Sequence, residues 1–367
     1  MVEWKEMGTL SEIGTGSNNR EDSSENGMYP FYVRSKEILR IDKYLYDEEA
    51  ILIPGEGGVG EIFHYINGKY GLHQRTYRVH PTSKDVIGRY LYYYLYENFG
   101  NYINQKSYKS TATSIRKPML LNFPVAVIPI SEQNRIVGIL DTFTSSIENL
   151  KEQIAQRRKQ YEHYRDQLLD LEGEEGVKMK TLGEIGEFIR GNGIQKNDFI
   201  EEGFSCIHYG QIHAKYGFSA TETISKIEEP LYKKCKKAIK GDVVLATTSE
   251  DAEGVAKPFV WLGDDDAAVS GDAFIYHHNQ IGKFMGHQFL THKFMQFKIK
   301  YATGAKVVRI SGDNMAKYTI ALPPLDEQQR IVDILDTFEA SIENLEAQLK
   351  EREKQYEYYR NKLLTFD

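Results

Sequence analysis

The sequence predicts an α+β fold: two globular α/β domains with curved sheets, separated by a two-helix antiparallel coiled coil, the halves forming an internal pseudo-two-fold repeat. Three observations predict it. First, one stretch occurs twice, 195 positions apart and without a gap: EQNRIVGILDTFTSSIENLKEQIAQRRKQYEHYRDQLL from Glu132 and EQQRIVDILDTFEASIENLEAQLKEREKQYEYYRNKLL from Glu327. A period that long marks a duplicated half-protein rather than a solenoid. Second, each copy carries an apolar seam in strict 4-3-4-3 spacing, through Leu140, Phe143, Ile147 and Leu150 in one and Leu335, Phe338, Ile342 and Leu345 in the other. A 3.5-residue period keeps one helical stripe facing a partner over many turns. Third, the segments before the two helices open alike, VEWKEMGTLSEIGTG from Val2 against VKMKTLGEIGEFIRG from Val177, while their interiors hardly match.

The elements follow in order. Residues 1–130 form the first domain, 131–172 the first helix, 173–178 a linker, 177–325 the second domain and 326–367 the second helix. In the first domain Ala50 to Ile53, Glu61 to Ile66 and Thr76 to Val79 read as strands, with Asn67-Gly68 as a turn. In the second, Asp242 to Ala246, Pro258 to Leu262 and Ala273 to Tyr276 do so, with a turn at Gly263-Asp264. Each then has a helix, near Asp85 to Phe99 and Ile281 to Phe297, sharing Ile87-Gly88-Arg89-Tyr90 and Ile281-Gly282-Lys283-Phe284. Ser131 and Asp326 are placed to cap the long helices. Helix one runs from domain one to domain two and helix two runs back, so the pair is antiparallel; about 38 residues span roughly 57 Å. Arg157 and Arg352 interrupt the seams near mid-helix, where each needs a carboxylate such as Glu162 or Glu353, or partial exposure.

The net charge of -7 is unevenly held. The two helical stretches carry -9, leaving the remainder at +2 and free to form local basic faces, so the acidic total does not exclude DNA binding. Cys206 and Cys235 form no disulfide framework, MVEWKEMG is no signal pattern, and no apolar run reaches membrane-spanning length. These features predict a cytoplasmic protein away from membranes.

Gly55-Glu-Gly57-Gly-Val-Gly60 fits G-x-G-x-x-G, but the β-prone EIFHYING follows it where a dinucleotide site needs a helix, so a hairpin or a loop approaching a DNA backbone is expected. Cys206, His208 and His213 lack zinc-site spacing, as His287 and His292 lack metalloprotease spacing, so no metal is expected. There is no phosphate-binding G-x-x-x-x-G-K-[ST] loop and no [DN]-P-P-[FY] motif, so the chain is expected to catalyse nothing. The candidate DNA contacts are in matching loops: Lys106, Lys109, Ser110, Thr111, Arg116 and Lys117 in the first domain, Lys300, Tyr301, Lys306 and Arg309 in the second. Such residues bind phosphate and read base edges. His73, Gln74 and Arg75, beside a strand, add amide and guanidinium groups.

The frame resembles the specificity subunit of type I restriction–modification systems. The residues that carry the likeness are Trp4-Lys5, Lys180-Thr-Leu182-Gly183-Glu184-Ile185, Glu132-Gln133, Pro324-Leu325-Asp326-Glu327-Gln328 and the repeated EQxRIVxILD helices, over the whole chain. One departure is Ile128-Pro129-Ile130, where the family has a proline pair. The resemblance implies two target-recognition domains, each reading half of a bipartite double-stranded DNA site, with the helices setting the spacer. It also implies two methyltransferase subunits on the helices and restriction subunits beyond them. S-adenosylmethionine and ATP then belong to those partners, with no cofactor in this chain. Val137, Ile139, Val332 and Ile334, apolar beyond the seam, are expected to help dock the methyltransferase. A stand-alone duplicated DNA-binding regulator and a coiled-coil scaffold are the alternatives.

Overall fold

The computed structural model describes residues 2–106, 114–304 and 307–366. The chain divides into two compact units, Met1–Glu152 with Glu346–Asp367, and Gln153–Leu345.

In the first unit, strand Glu3–Glu6 pairs antiparallel with Pro124–Val127, so the first strand and the last close the domain at the foot of the long helix. A six-stranded sheet runs in the order Ser11–Thr15, Thr76–Pro81, Tyr46–Pro54, His64–Leu72, Tyr29–Tyr32, Ile38–Ile41. It curls strongly. The chain beyond Ser11–Thr15 runs on to pair with the far end of His64–Leu72, where Asn18 N–H donates to Leu72 O at 3.2 Å. A Cβ on Gly16 would stand 1.9 Å from that carbonyl, so only glycine permits the closure. Helix Gly88–Lys106 packs on the sheet, burying Tyr90, Leu91, Tyr94, Leu95 and Phe99 with Ile51, Ile53 and Val79.

The second unit repeats the plan. Lys178–Thr181 pairs with Thr319–Leu322, and Gly186–Arg190, Ala273–His278 and Val243–Ala246 repeat the three-strand core of the first sheet in the same order. Asn192 N–H donates to Val269 O at 2.9 Å, and a Cβ on Gly191 would lie 2.3 Å from Ser270 O, repeating the closure around Gly16. Ser225–Ile227, Phe204–Ile207 and Ala267–Val269 pair antiparallel and then parallel, as Ile38–Ile41, Tyr29–Tyr32 and the end of His64–Leu72 do in the first unit, but here they form a separate four-stranded sheet with Lys237–Ala238.

Several local expectations are corrected. Asn67-Gly68 is no turn: it lies inside His64–Leu72 opposite Glu49 and Glu48, because the ladder pairs on both sides hold it. The turn is supplied by the glycine-rich segment after Pro54, which joins two antiparallel strands and leads into a strand rather than a helix. The helix expected over Ile281 to Phe297 is two, Gly282–Gln288 and His292–Tyr301. Thr291 breaks it, its hydroxyl donating to Gln288 O at 2.8 Å and accepting from Phe294 N–H at 3.2 Å. The long helices are Ile130–Leu169 and Leu325–Leu364, so Ser131 and Asp326 lie within their first turns and cap neither.

The seams serve two purposes. Ile136 and Leu140 belong to the first globular core, with Leu364 from the end of the second helix; Ile331 and Leu335 belong to the second core, with Leu169. Between these ends the helices pack on each other within each unit. Phe143 stacks on Tyr359 at 5.4 Å in the first, as Phe338 stacks on Tyr164 at 5.4 Å in the second. Among the described residues no helix is long and apolar enough to cross a membrane.

Candidate nucleic-acid interface

The faces that could meet DNA are held by a frame built from the repeated motif. Gln133, fully buried, donates through Nε2 to Ile128 O at 2.8 Å and Asp85 O at 2.7 Å, and its Oε1 accepts from Ile87 N–H at 2.8 Å. Gln328, also fully buried, donates to Pro323 O at 2.9 Å and to Gln280 Oε1 at 2.9 Å, and accepts from Ile281 N–H at 3.2 Å. Pro129 O and Pro324 O accept the backbone N–H of these glutamines, each at 3.0 Å, so Ile128 in place of a proline leaves the helix start unchanged.

Two turns on, Asp141 accepts from Arg89 Nε at 2.8 Å and from the Tyr93 hydroxyl at 2.6 Å. Asp336 accepts from Lys283 Nζ at 2.8 and 2.9 Å. The shared Gly88-Arg89 and Gly282-Lys283 patterns thus strap each domain helix to its long helix. In the position of Tyr93 the second unit has His287, fully buried and stacked on Phe218 at 4.3 Å. Its Nδ1 lies 3.4 Å from the Tyr161 hydroxyl, which donates to Glu339 at 2.7 Å. Burial pushes His287 down to about 3 and His278 down to about 4.

In the first unit, His73, Gln74 and Arg75 form the short connection between His64–Leu72 and Thr76–Pro81. His73 is buried, its Nδ1 accepting from Arg75 N–H at 3.0 Å, so it shapes the connection rather than facing outward. Gln74 and Arg75 are exposed; Gln74 donates to Asn19 Oδ1 at 2.6 Å, and Arg75 donates to Glu56 at 2.6 Å. Glu56 also pairs with Arg34, and the two guanidiniums, Arg75's foremost, hold its carboxyl below the usual range. Arg116 and Lys117 are exposed near this loop, since Ile115 N–H donates to Gly55 O at 2.8 Å. Lys106 ends its helix, while Lys109, Ser110 and Thr111 lie outside the described residues. Sequence reading missed Arg20, Arg34 and Glu56, whose meeting depends on the curl of the sheet.

In the second unit the corresponding loop returns to the corresponding place. Val308–Arg309 pairs with Thr248–Ser249, just beyond the central strand, as Ser114 bridges to Glu56 in the first unit. Tyr301 and Arg309 line one cleft with Arg190, Thr248, Thr303 and Asn314. Tyr301 packs on Phe297 at 4.6 Å, with Lys300 Nζ 5.5 Å from its ring; Lys306 lies outside the described residues. Cys206 and Cys235 are buried free thiols, His208 accepts from Gly210 N–H, and no metal-binding cluster occurs among the described residues.

The expected docking set needs correction. Val332 is 3 % exposed within the second core and Val137 packs against the first, because the helix starts are core elements; Ile139 and Ile334 stay half-buried. Each seam arginine has an aromatic partner: Arg352 lies over Phe143 at 5.7 Å and Arg157 over Phe338 at 6.0 Å, while Glu353 pairs with Lys151 at 3.0 Å.

Comparison with known proteins gives a consistent result. The family described as type I restriction modification DNA specificity domain matches residues 1–157 and 174–353. A Haemophilus influenzae chain named as a type I restriction enzyme specificity subunit is 27% identical over 396 residues, covering 100% of this chain and 96% of its own. An Escherichia coli type I restriction enzyme specificity subunit is 32% identical over 246 residues, covering 64% and 59%. The crystal structure of a type I restriction–modification S subunit from M. genitalium superposes with a TM-score of 0.60 at 16% identity, covering 100% of this chain and 97% of that one. A structure described for complex assembly and conformational transition of the type I system gives 0.61 at 14% identity, covering 99% and 96%.

Proposed function

The chain belongs to the type I restriction–modification DNA specificity family, and from that premise we propose that each unit reads one half of a bipartite, asymmetric double-stranded DNA site. The observation that carries this is the repetition of frame without repetition of face. The glutamine lock, the cation–aspartate strap and the glycine closure recur in both units. The side chains set on that frame differ: exposed Gln74, Arg75, Arg116 and Lys117 in one, exposed Lys300 and Arg309 with half-buried Tyr301 in the other. Two readers on one scaffold, with different side chains, suit two different half-sites.

The long helices set the spacer and dock two methyltransferase subunits through a surface that includes Ile139 and Ile334, and restriction subunits join that assembly. The chain itself is non-catalytic; S-adenosylmethionine and ATP are bound by the partners, in the cytoplasm. The test is to express the chain with a methyltransferase subunit of its system and map methylated adenines by long-read sequencing. A split motif with a constant spacer is expected. Methylation at an undivided motif, or none that depends on this chain, overturns the reading.

A further inference from the structure

We propose that the cleft carrying Arg20 and Arg34 in the first unit is a site for a DNA backbone phosphate. In the free protein the Glu56 carboxylate fills that role, so Glu56 lowers the affinity of this unit for DNA until a phosphate displaces it. The inference rests on the reading of this face as a DNA contact.

The cleft is lined by Arg20, Arg34, Ser35, Glu56 and His73. Glu56 Oε1 receives Arg34 Nη1 and, at 2.6 Å, Arg75 Nη1. These arginines come from two different strand connections, and a single anionic oxygen draws them together. A phosphodiester oxygen asks for the same arrangement. A terminal nitrogen of each guanidinium is spent on the carboxylate, so both must be released before they grip DNA. Release is cheap, because the three side chains are 39–60% exposed, and ion pairs so open to water are weak and screened by salt.

Arg75 adjoins Gln74, whose amide is held by Asn19 Oδ1, so the candidate base-reading group lies next in the chain to the latched cation. His73 fixes the connection that carries both. On a matching half-site, base contacts seat the duplex and its phosphate takes the place of Glu56. On other DNA a phosphate must displace the carboxylate unaided, so fewer molecules make the exchange. Glu56 thus competes with every phosphate and lowers the affinity of this face for DNA of either kind.

The test uses the full chain assembled with methyltransferase subunits, and two labelled duplexes, one with the mapped site and one without. Each is titrated at several salt concentrations. Glu56→Gln is expected to bind the duplex without the site about 3- to 10-fold more tightly, with a log–log salt slope steeper by about 0.9, one more neutralised phosphate. Affinity for the mapped site should rise at least as far, since there too the carboxylate no longer has to be displaced. Arg34→Ala and Arg75→Ala should weaken binding to the mapped site. Unchanged or weaker binding of the site-free duplex by Glu56→Gln overturns the latch. If the arginine variants lose affinity in that case, the DNA face stands and only the latch fails. If they too are unchanged, the reading of the face fails with it.

Discussion

One neutral side chain in each half, Gln133 or Gln328, ties the domain to the start of its long helix. Gln133 uses its whole amide on partners from three separate positions, so Gln133→Leu fills the space but leaves Ile87 N–H and two carbonyls unpaired. At about 1–3 kcal/mol per orphaned buried group, partly relieved by relaxation, a loss of about 2–4 kcal/mol is expected. Hydrogen exchange should locate that loss in the first unit; protection of Ile87 equal to wild type would refute the role. The EQ pair stood out in the repeat, yet its function was hidden. A local reading gives capping to Ser131 and Asp326, whereas Gln133 and Gln328 act on backbone 46 to 48 positions away. His287 adds a pH dependence. Its folded value of about 3 lies below that of a free imidazole, near 6.5. Between these values the unfolded chain binds the extra proton, so this contribution to stability is complete above pH 6.5 and is lost as pH falls. The slope approaches about 1.4 kcal/mol per pH unit for each such group, and His278 acts in the same direction. His287→Phe, which can keep the stack on Phe218, should flatten the fall in urea midpoint between pH 6 and pH 5.

The long helices illustrate what periodicity reveals and what it conceals. The 4-3-4-3 spacing marks the stripe that faces inward, and Ile147 and Ile154 are each 9 % exposed on it. It does not say what lies opposite. At the starts of the helices a globular core does, so Ile136, Leu140, Ile331 and Leu335 are buried there, and Val332 is drawn in with them. Farther along, the opposite surface is the other helix, and Phe143 and Phe338 each sit beneath a stacked tyrosine and an arginine. This leaves Ile139 and Ile334 as matched, half-buried apolar positions without a place in either core cluster. Changing both to Glu should abolish co-purification of the methyltransferase subunit while leaving the circular dichroism spectrum and melting of the chain as they were. Retention of the complex on size-exclusion chromatography would show that docking lies elsewhere.

On the scale of the whole molecule, duplication has produced two units whose cores share no residue. Each has its own closed strand pair, Glu3–Glu6 with Pro124–Val127 and Lys178–Thr181 with Thr319–Leu322. Each has its own strap from domain helix to long helix. This symmetry was legible because the framing segments match in sequence. The strand pairing around Gly16 and Gly191 was not, since each closure is an isolated bridge to a distant strand end rather than a pattern. The bases read were not legible either, since readout depends on where exposed side chains such as Gln74, Arg75 and Arg309 are set. Independence of the cores leads to a prediction about exchange. Contacts at separated base positions add nearly independently, each mismatch costing about 1–3 kcal/mol. Replacing residues 1–130 by the matching segment of another family member, with Gln133 and Asp141 retained, therefore keeps every contact that frames the second unit. One half of the methylated motif should change to that of the donor. The other half and the spacer should stay as they were, because residues 177–325 and both helices are untouched. Methylome mapping of the chimera decides it: a changed second half-site, or a changed spacer, would mean that the units read DNA jointly.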